Sequence, residues 1–310
     1  MNVKNVFVAV VVAVSCASAA LAPGIGAAQT QQAESRAELY RRNLLARSDV
    51  PCRTNASCAA LGVAALEAGR IDDAQTLVAM EAALAEATVM QAAEENSPKA
   101  ASSARARATM ALVHQGDVQL KLGALSNARA YYRSAISRAG DFPDDALLSR
   151  AVAAAQARLD AIASKAVVKG LPPDGAHFTR YMFFGAWNRI DVKPVKGRRG
   201  VYRIDGEFVY PTVDAAGQPG ANLGSLSAYV RFYRGVARVP MTDVGSASPV
   251  DATARIGNLA PYDKHDDKCL IEFALSAPET LDVRTYGSVL RCGFGHNVSA
   301  DGRYYLMTRS

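Results

Sequence analysis

Histidine is scarce in this 310-residue chain, four in all, and tryptophan occurs once. Four imidazoles are a small supply for acid–base chemistry near neutral pH. The signatures that carry chemistry by other routes are missing as well. There is no Gly-x-Ser-x-Gly elbow, no His-Glu-x-x-His, no phosphate-binding loop and no dinucleotide fingerprint. The one long apolar run sits at the extreme N-terminus, so the remainder does not read as an integral membrane protein. With 35 Lys+Arg against 29 Asp+Glu, neither sign of charge dominates. A hydrophobic content of 50% excludes a disordered chain, and 21% charged residues is ordinary for a soluble protein. At roughly 100–200 residues per domain, the length accommodates two domains.

The N-terminus has the grammar of an export signal. Lys4 supplies the positive start, Val6 to Val14 the apolar core, and Ala17-Ser18-Ala19 the small residues of a cleavage site. The signal is thus read as residues 1–19, with cleavage as late as 28 after Gly26-Ala27-Ala28. The core has about nine residues where a spanning helix needs about 20. Val14-Ser15-Cys16 also resembles part of a bacterial lipoprotein signal, which would lipidate Cys16. A periplasmic or secreted protein is the leading expectation, and a lipid anchor in the outer membrane the lesser one. Losing Lys4 leaves 34 basic against 29 acidic residues, a mildly basic +5.

Cysteine usage agrees with export. Cys52, Cys58, Cys269 and Cys292 remain, and four cysteines permit three connectivities. Sequence proximity favours Cys52–Cys58 and Cys269–Cys292, which an oxidising compartment would form.

Composition changes near residue 168. Five of the 22 aromatic residues precede that point and 17 follow it. The first half is rich in the strong helix formers Ala, Leu, Arg and Glu; the second favours strands and turns. Between them, Leu171-Pro172-Pro173-Asp174-Gly175 cannot continue a helix. The expected layout is a multidomain α plus β chain: a helical domain over 34–165, a linker over 166–176 and a β domain over 177–310.

The helical half repeats itself. Gly62, Gly69, Ala74 and Val78 are spaced like Gly116, Gly123, Ala128 and Tyr132, 54 residues later. Each set describes a helix pair in which a small residue allows close approach and Gly69 or Gly123 makes the turn. Asp72 or Ser126 is placed to cap the second helix. This spacing resembles the tetratricopeptide repeat, best in the second unit, where Gly116, Gly123, Ala128, Tyr132 and Ala135 match. The family steps by 34 residues, so an extra helix around Ala85 to Ala106 is expected between the units. Glu81 stands where the family has a small residue. Flanking helices are expected from Glu34 to Arg47 and from Asp144 to Ser164. The alternative is an Ala-rich antiparallel bundle.

The second half reads as antiparallel strands: Tyr181 to Trp187, Val201 to Tyr210, Leu226 to Arg234, Val236 to Val239, Cys269 to Leu275, Leu281 to Leu290 and Arg303 to Met307. Asp205-Gly206, Gly217-Gln218-Pro219-Gly220 and Asp301-Gly302 are the turn signals. Seven short strands with Gly/Pro loops suggest a β-sandwich. Tyr229 to Val239 and Ile256 to Pro261 loosely resemble an immunoglobulin-type domain, which implies a fold class only.

Three clusters are candidates for function. If Cys269 faces Cys292 across paired strands, His265 faces His296 in the same register. With Asp263 or Asp266, those imidazoles could bind Zn²⁺ or Cu²⁺; otherwise no cofactor is expected. Lys193, Lys196, Arg198 and Arg199 belong to a basic run suited to anionic lipid or cell-wall polymer, or to a solvated loop. Nucleic acid is not an expected partner for an exported protein. His177 is read as a loop residue and His114 as a helical one. Because helical repeats make extended contact surfaces, the leading expectation is a scaffold that binds an envelope protein or peptide. Its first candidate surface is Gln115, Gln119, Asn127 and Arg129. A metal-dependent or hydrolytic enzyme built on His265 and His296 is the alternative, and a membrane or cell-wall module a third.

Overall fold

The Ala-rich first half forms six helices: α1 (Arg36–Ala46), α2 (Asn55–Glu67), α3 (Ile71–Glu94), α4 (Pro98–Lys121), α5 (Leu125–Ser137) and α6 (Ala146–Ala161). These belong to a computed structural model that describes residues 34–241, 249–253 and 269–308. The signal-like N-terminus, Cys16, Asp263, His265 and Asp266 lie outside the described residues.

Both sequence units fold as helix pairs. α2 packs on α3, and α4 on α5, each pair joined by a turn. Gly69 and Gly123 make those turns at φ of 75° and 76°, a backbone region costly for a side chain. A Cβ on Gly62 would lie 2.9 Å from Val78 Cγ1, and one on Gly116 only 2.4 Å from Tyr132 Cε1. The small residues are therefore the close approaches.

Two expectations fail in detail. Arg70 and Ala124 occupy the N-cap positions of α3 and α5, with no side-chain cap, so Asp72 and Ser126 are not the caps. No separate helix lies between the units either. The additional residues lengthen α3 and α4 to 24 residues each, and Asn96, left-handed at φ 48°, turns one into the other.

Glu81 departs from the repeat pattern for a visible reason. On α3 it is 1% exposed and accepts from His114 Nδ1 on α4, at 2.8 Å to Oε2. Burial alone would lower the His114 pKa; the Glu81 hydrogen bond and charge, helped by Asp117 and opposed by Arg158, leave it raised. Stability from the pair is then complete below the unfolded histidine pKa of about 6.5 and is lost as pH rises through the higher folded value. We expect the melting temperature to fall with pH above that point, and His114→Gln to flatten this part of the profile.

The second half forms nine strands: β1 (Ala176–Tyr181), β2 (Trp187–Pro194), β3 (Tyr202–Val213), β4 (Pro219–Val230), β5 (Val236–Met241), β6 (Val250–Ala252), β7 (Cys269–Ala277), β8 (Thr280–Gly287) and β9 (Gly302–Met307). Hydrogen bonds join them in one sheet of order β5-β7-β8-β9-β1-β2-β3-β4-β6, antiparallel except for β4 with β6. The end strands β5 and β6 also meet, so the sheet nearly closes into a barrel. A sandwich would divide the strands between two layers. Here β9 pairs with both β8 and β1 and makes the layer continuous.

Inward residues such as Phe178, Ile190, Ile204, Phe208, Phe273 and Tyr304 fill the interior. Of Tyr181 to Trp187, expected as one strand, only the two end residues are in strands; residues 182–186 are the β1–β2 turn, reversed through left-handed Phe184 and Gly185. Asp205-Gly206, expected as a turn, lies within β3: a Cβ on Gly206 would sit 2.6 Å from the Phe208 ring. Small size inside a barrel, not turning, is the use of that glycine.

Both favoured disulfides are present, Cys52–Cys58 and Cys269–Cys292. They fit an oxidising compartment. Among the described residues, no helix is long and apolar enough to cross a membrane.

Candidate functional site

The helices lie against the outer face of the sheet, and a buried charged node fixes them there. Glu279, in the β7–β8 turn, accepts from Arg129 Nη1 at 2.9 Å, Ser126 Oγ at 2.9 Å and the Val168 amide at 3.3 Å. Arg133 approaches its other oxygen at 3.6 Å. Arg129 also donates to the carbonyls of Lys165 and Ala166. Beside this node, the Asn127 side-chain oxygen accepts from the amide and the hydroxyl of Thr308, and Gln119 accepts from Asn127 Nδ2.

These contacts correct the first candidate surface. Arg129 and Asn127 are buried, and they hold this chain's own sheet. That face of the second helix pair is already occupied. Gln115 and Gln119 remain half-buried.

A cleft of about 670 Å³ stays open beside that junction. Its walls are Gln75 on α3, Gln119 and Leu122 at the end of α4, and Asn127 and Tyr131 on α5. Its floor is the outward face of β1, β2 and β3. Strand alternation places His177, Asp191 and Asp205 in one cross-strand row, and Thr179, Arg189 and Glu207 in the next. His177 is thus a strand residue, not the loop residue expected. Its Nδ1 lies 2.9 Å from Asp191 Oδ1. Asp205 is held by Arg203 at 2.9 Å and by Ser227 at 2.7 Å.

Arg189 and Glu207 differ from their neighbours. They face each other directly across β2 and β3, both exposed, and neither makes an ion pair among the described residues. Trp187, two residues before Arg189, packs edge-on against Tyr131 at 5.1 Å and Tyr181 at 5.2 Å. Burial pushes the Tyr131 phenol up, so it stays neutral. A second hollow of about 700 Å³ shares Trp187, Arg189 and Glu207 and continues to Leu223, which is 70% exposed. The two hollows adjoin at these three residues on the outer face.

The other candidates fall elsewhere. Cys269 pairs with Gly287 across β7 and β8, and Cys292 lies in a 3-10 turn (Val289–Cys292). The facing register proposed for Cys269 and Cys292 does not exist, which removes the reason for placing His265 opposite His296. His296 is an exposed turn residue whose carbonyl accepts from Asn222. Among the described residues, no group of three or more His, Cys, Asp or Glu side chains could hold a metal ion. Lys193, Lys196, Arg198 and Arg199 are exposed around the β2–β3 loop.

The sequence did contain a signal for the groove. Trp187-Asn188-Arg189-Ile190-Asp191 alternates polar or aromatic with inward positions, as does Arg203-Ile204-Asp205-Gly206-Glu207. Ending the expected strand at Trp187 and reading Asp205-Gly206 as a turn hides both. Comparisons with protein families, curated proteins and solved structures find no match to this chain.

Proposed function

We propose that this protein works by binding, as an exported interaction module whose outer groove holds an extended segment of an envelope protein or peptide. The observation that carries the reading is Arg189 and Glu207, which face each other beside Trp187, line both hollows and make no ion pair among the described residues. Opposite charges left apart beside an aromatic ring suit a peptide, which offers charges of both signs and apolar side chains. The disulfides support the exported setting. The paired helices α2–α3 and α4–α5 support a likeness to tetratricopeptide repeats. Here the sheet takes the part of the docking domain: it covers one helix face and supplies the floor of the groove beside it.

Selection of a random peptide display library on the full chain tests this. An enriched sequence motif should bind the wild type and lose at least about tenfold in affinity with Trp187→Ala. The exchange Arg189→Glu/Glu207→Arg should select a different motif at unchanged melting temperature. Enrichment indifferent to all three substitutions would place binding elsewhere.

A further inference from the structure

Two neighbouring loops at one end of the barrel are rich in exposed cations. The β2–β3 loop, residues 195–201, holds Lys196, Arg198 and Arg199, and the β4–β5 loop, residues 231–235, holds Arg231 and Arg234. Lys193 and Arg203 flank the first loop. All seven side chains are exposed. The loops touch, since Arg231 Nη1 donates to the Arg199 carbonyl at 3.0 Å and Arg198 lies 5.5 Å from the Tyr229 ring.

Carboxylates answer only part of this charge. Asp205 pairs with Arg203 at 2.9 Å, and Asp251 lies 3.6 Å from Arg198. Lys193, Lys196, Arg199 and Arg234 make no ion pair among the described residues. Lys193 even stands directly opposite Arg203 in the β2–β3 ladder. Like charges facing across strands work against the sheet, so folding alone does not explain the arrangement.

The second loop adds an aromatic ring. Tyr233 is 51% exposed, and the Arg234 guanidinium lies 5.5 Å from its centre. Arg234 and Gly235 are left-handed, at φ of 49° and 81°, which makes the turn tight. Clustered cations with an exposed amphipathic ring match the headgroup layer of an anionic bilayer. A soluble polyanion would engage the cations but not the ring.

We propose that this end of the barrel docks on an anionic phospholipid surface, with Lys193, Lys196, Arg199 and Arg234 against the headgroups and Tyr233 at their level. It is a site separate from the groove, and it would hold the protein at a membrane while the groove works.

Sedimentation of the full chain with vesicles of phosphatidylcholine alone, or enriched in phosphatidylglycerol, tests the docking. The wild type should bind the anionic vesicles, and added salt should release it. Each cation near such a surface contributes roughly fivefold, so Lys193→Ala/Lys196→Ala/Arg199→Ala/Arg234→Ala should lower partitioning at least about a hundredfold. A control with equal charge loss on the helices, Lys99→Ala/Arg107→Ala/Lys121→Ala/Arg150→Ala, should keep most of the binding. If the quadruple loop variant melts early, Lys196→Ala and Arg234→Ala singly should still each cost about fivefold. Tyr233→Ser should weaken vesicle binding and leave binding to inorganic polyphosphate unchanged. Equal loss in the two quadruple variants, binding independent of phosphatidylglycerol, or polyphosphate preferred over vesicles with no effect of Tyr233→Ser would each overturn the proposal.

Discussion

Arg129→Ala is expected to lower the unfolding free energy by about 3–5 kcal/mol, the usual cost of breaking one side of a buried ion pair. Arg129 and Glu279 are 2% and 1% exposed, so neither charge can turn to water when its partner is lost. The truncation also strips a donor from two carbonyls, those of Lys165 and Ala166. The double variant Arg129→Met/Glu279→Leu should recover part of the loss, because the desolvation penalty of both charges goes with them while the Lys165 and Ala166 carbonyls and the Val168 amide still lose a partner. Urea unfolding of the three proteins measures this. A single-variant loss below about 1 kcal/mol would mean that water reaches the node and that helices and sheet are coupled elsewhere.

The second large effect belongs to the longer disulfide. Cys269–Cys292 closes a separation of 23 residues and Cys52–Cys58 one of 6. Loop-closure entropy assigns the first about 3 kcal/mol and the second about 2 kcal/mol. Cys269→Ala/Cys292→Ala should therefore be the more damaging pair. Its position adds to this: Cys269 begins β7, and the chain beyond Cys292 sends Val298 and Ala300 into the barrel core. Freed at Cys292, that segment would loosen the end of the barrel it fills. Urea midpoints of the two double variants under non-reducing conditions give the order, and a reversed order would show that closure entropy is not the main contribution.

What could be read from sequence alone divides along physical lines. Spacing within the helix pairs was legible because Gly62 against Val78 and Gly116 against Tyr132 are local consequences of helical geometry. The caps were not, since the turn glycines already reverse the chain and leave Ser126 to bond Glu279, 153 residues away. Short-range disulfides followed from proximity. The groove did not, because it needs β1, β2 and β3 in register and a helical layer at the correct height. Trp187, Arg189 and Glu207 carry no motif. They become a site only when the alternation of two strands is known and the opposite face is seen to be full. Arg129 misled for the complementary reason: an arginine on a repeat helix reads as exposed until the distant Glu279 is placed beside it.

The place of β9 bears on how such a chain can be made. It is the last strand described, yet it lies inside the sheet order, between β8 and β1. A chain emerging from its N-terminus can assemble β1 to β4 early, but β1 keeps an open edge until residues 302–307 arrive. Glu279, which anchors α5, is itself delivered late. This topology postpones closure of the sheet until residues 302–307 have been made, because β8 and β1 are joined only through β9.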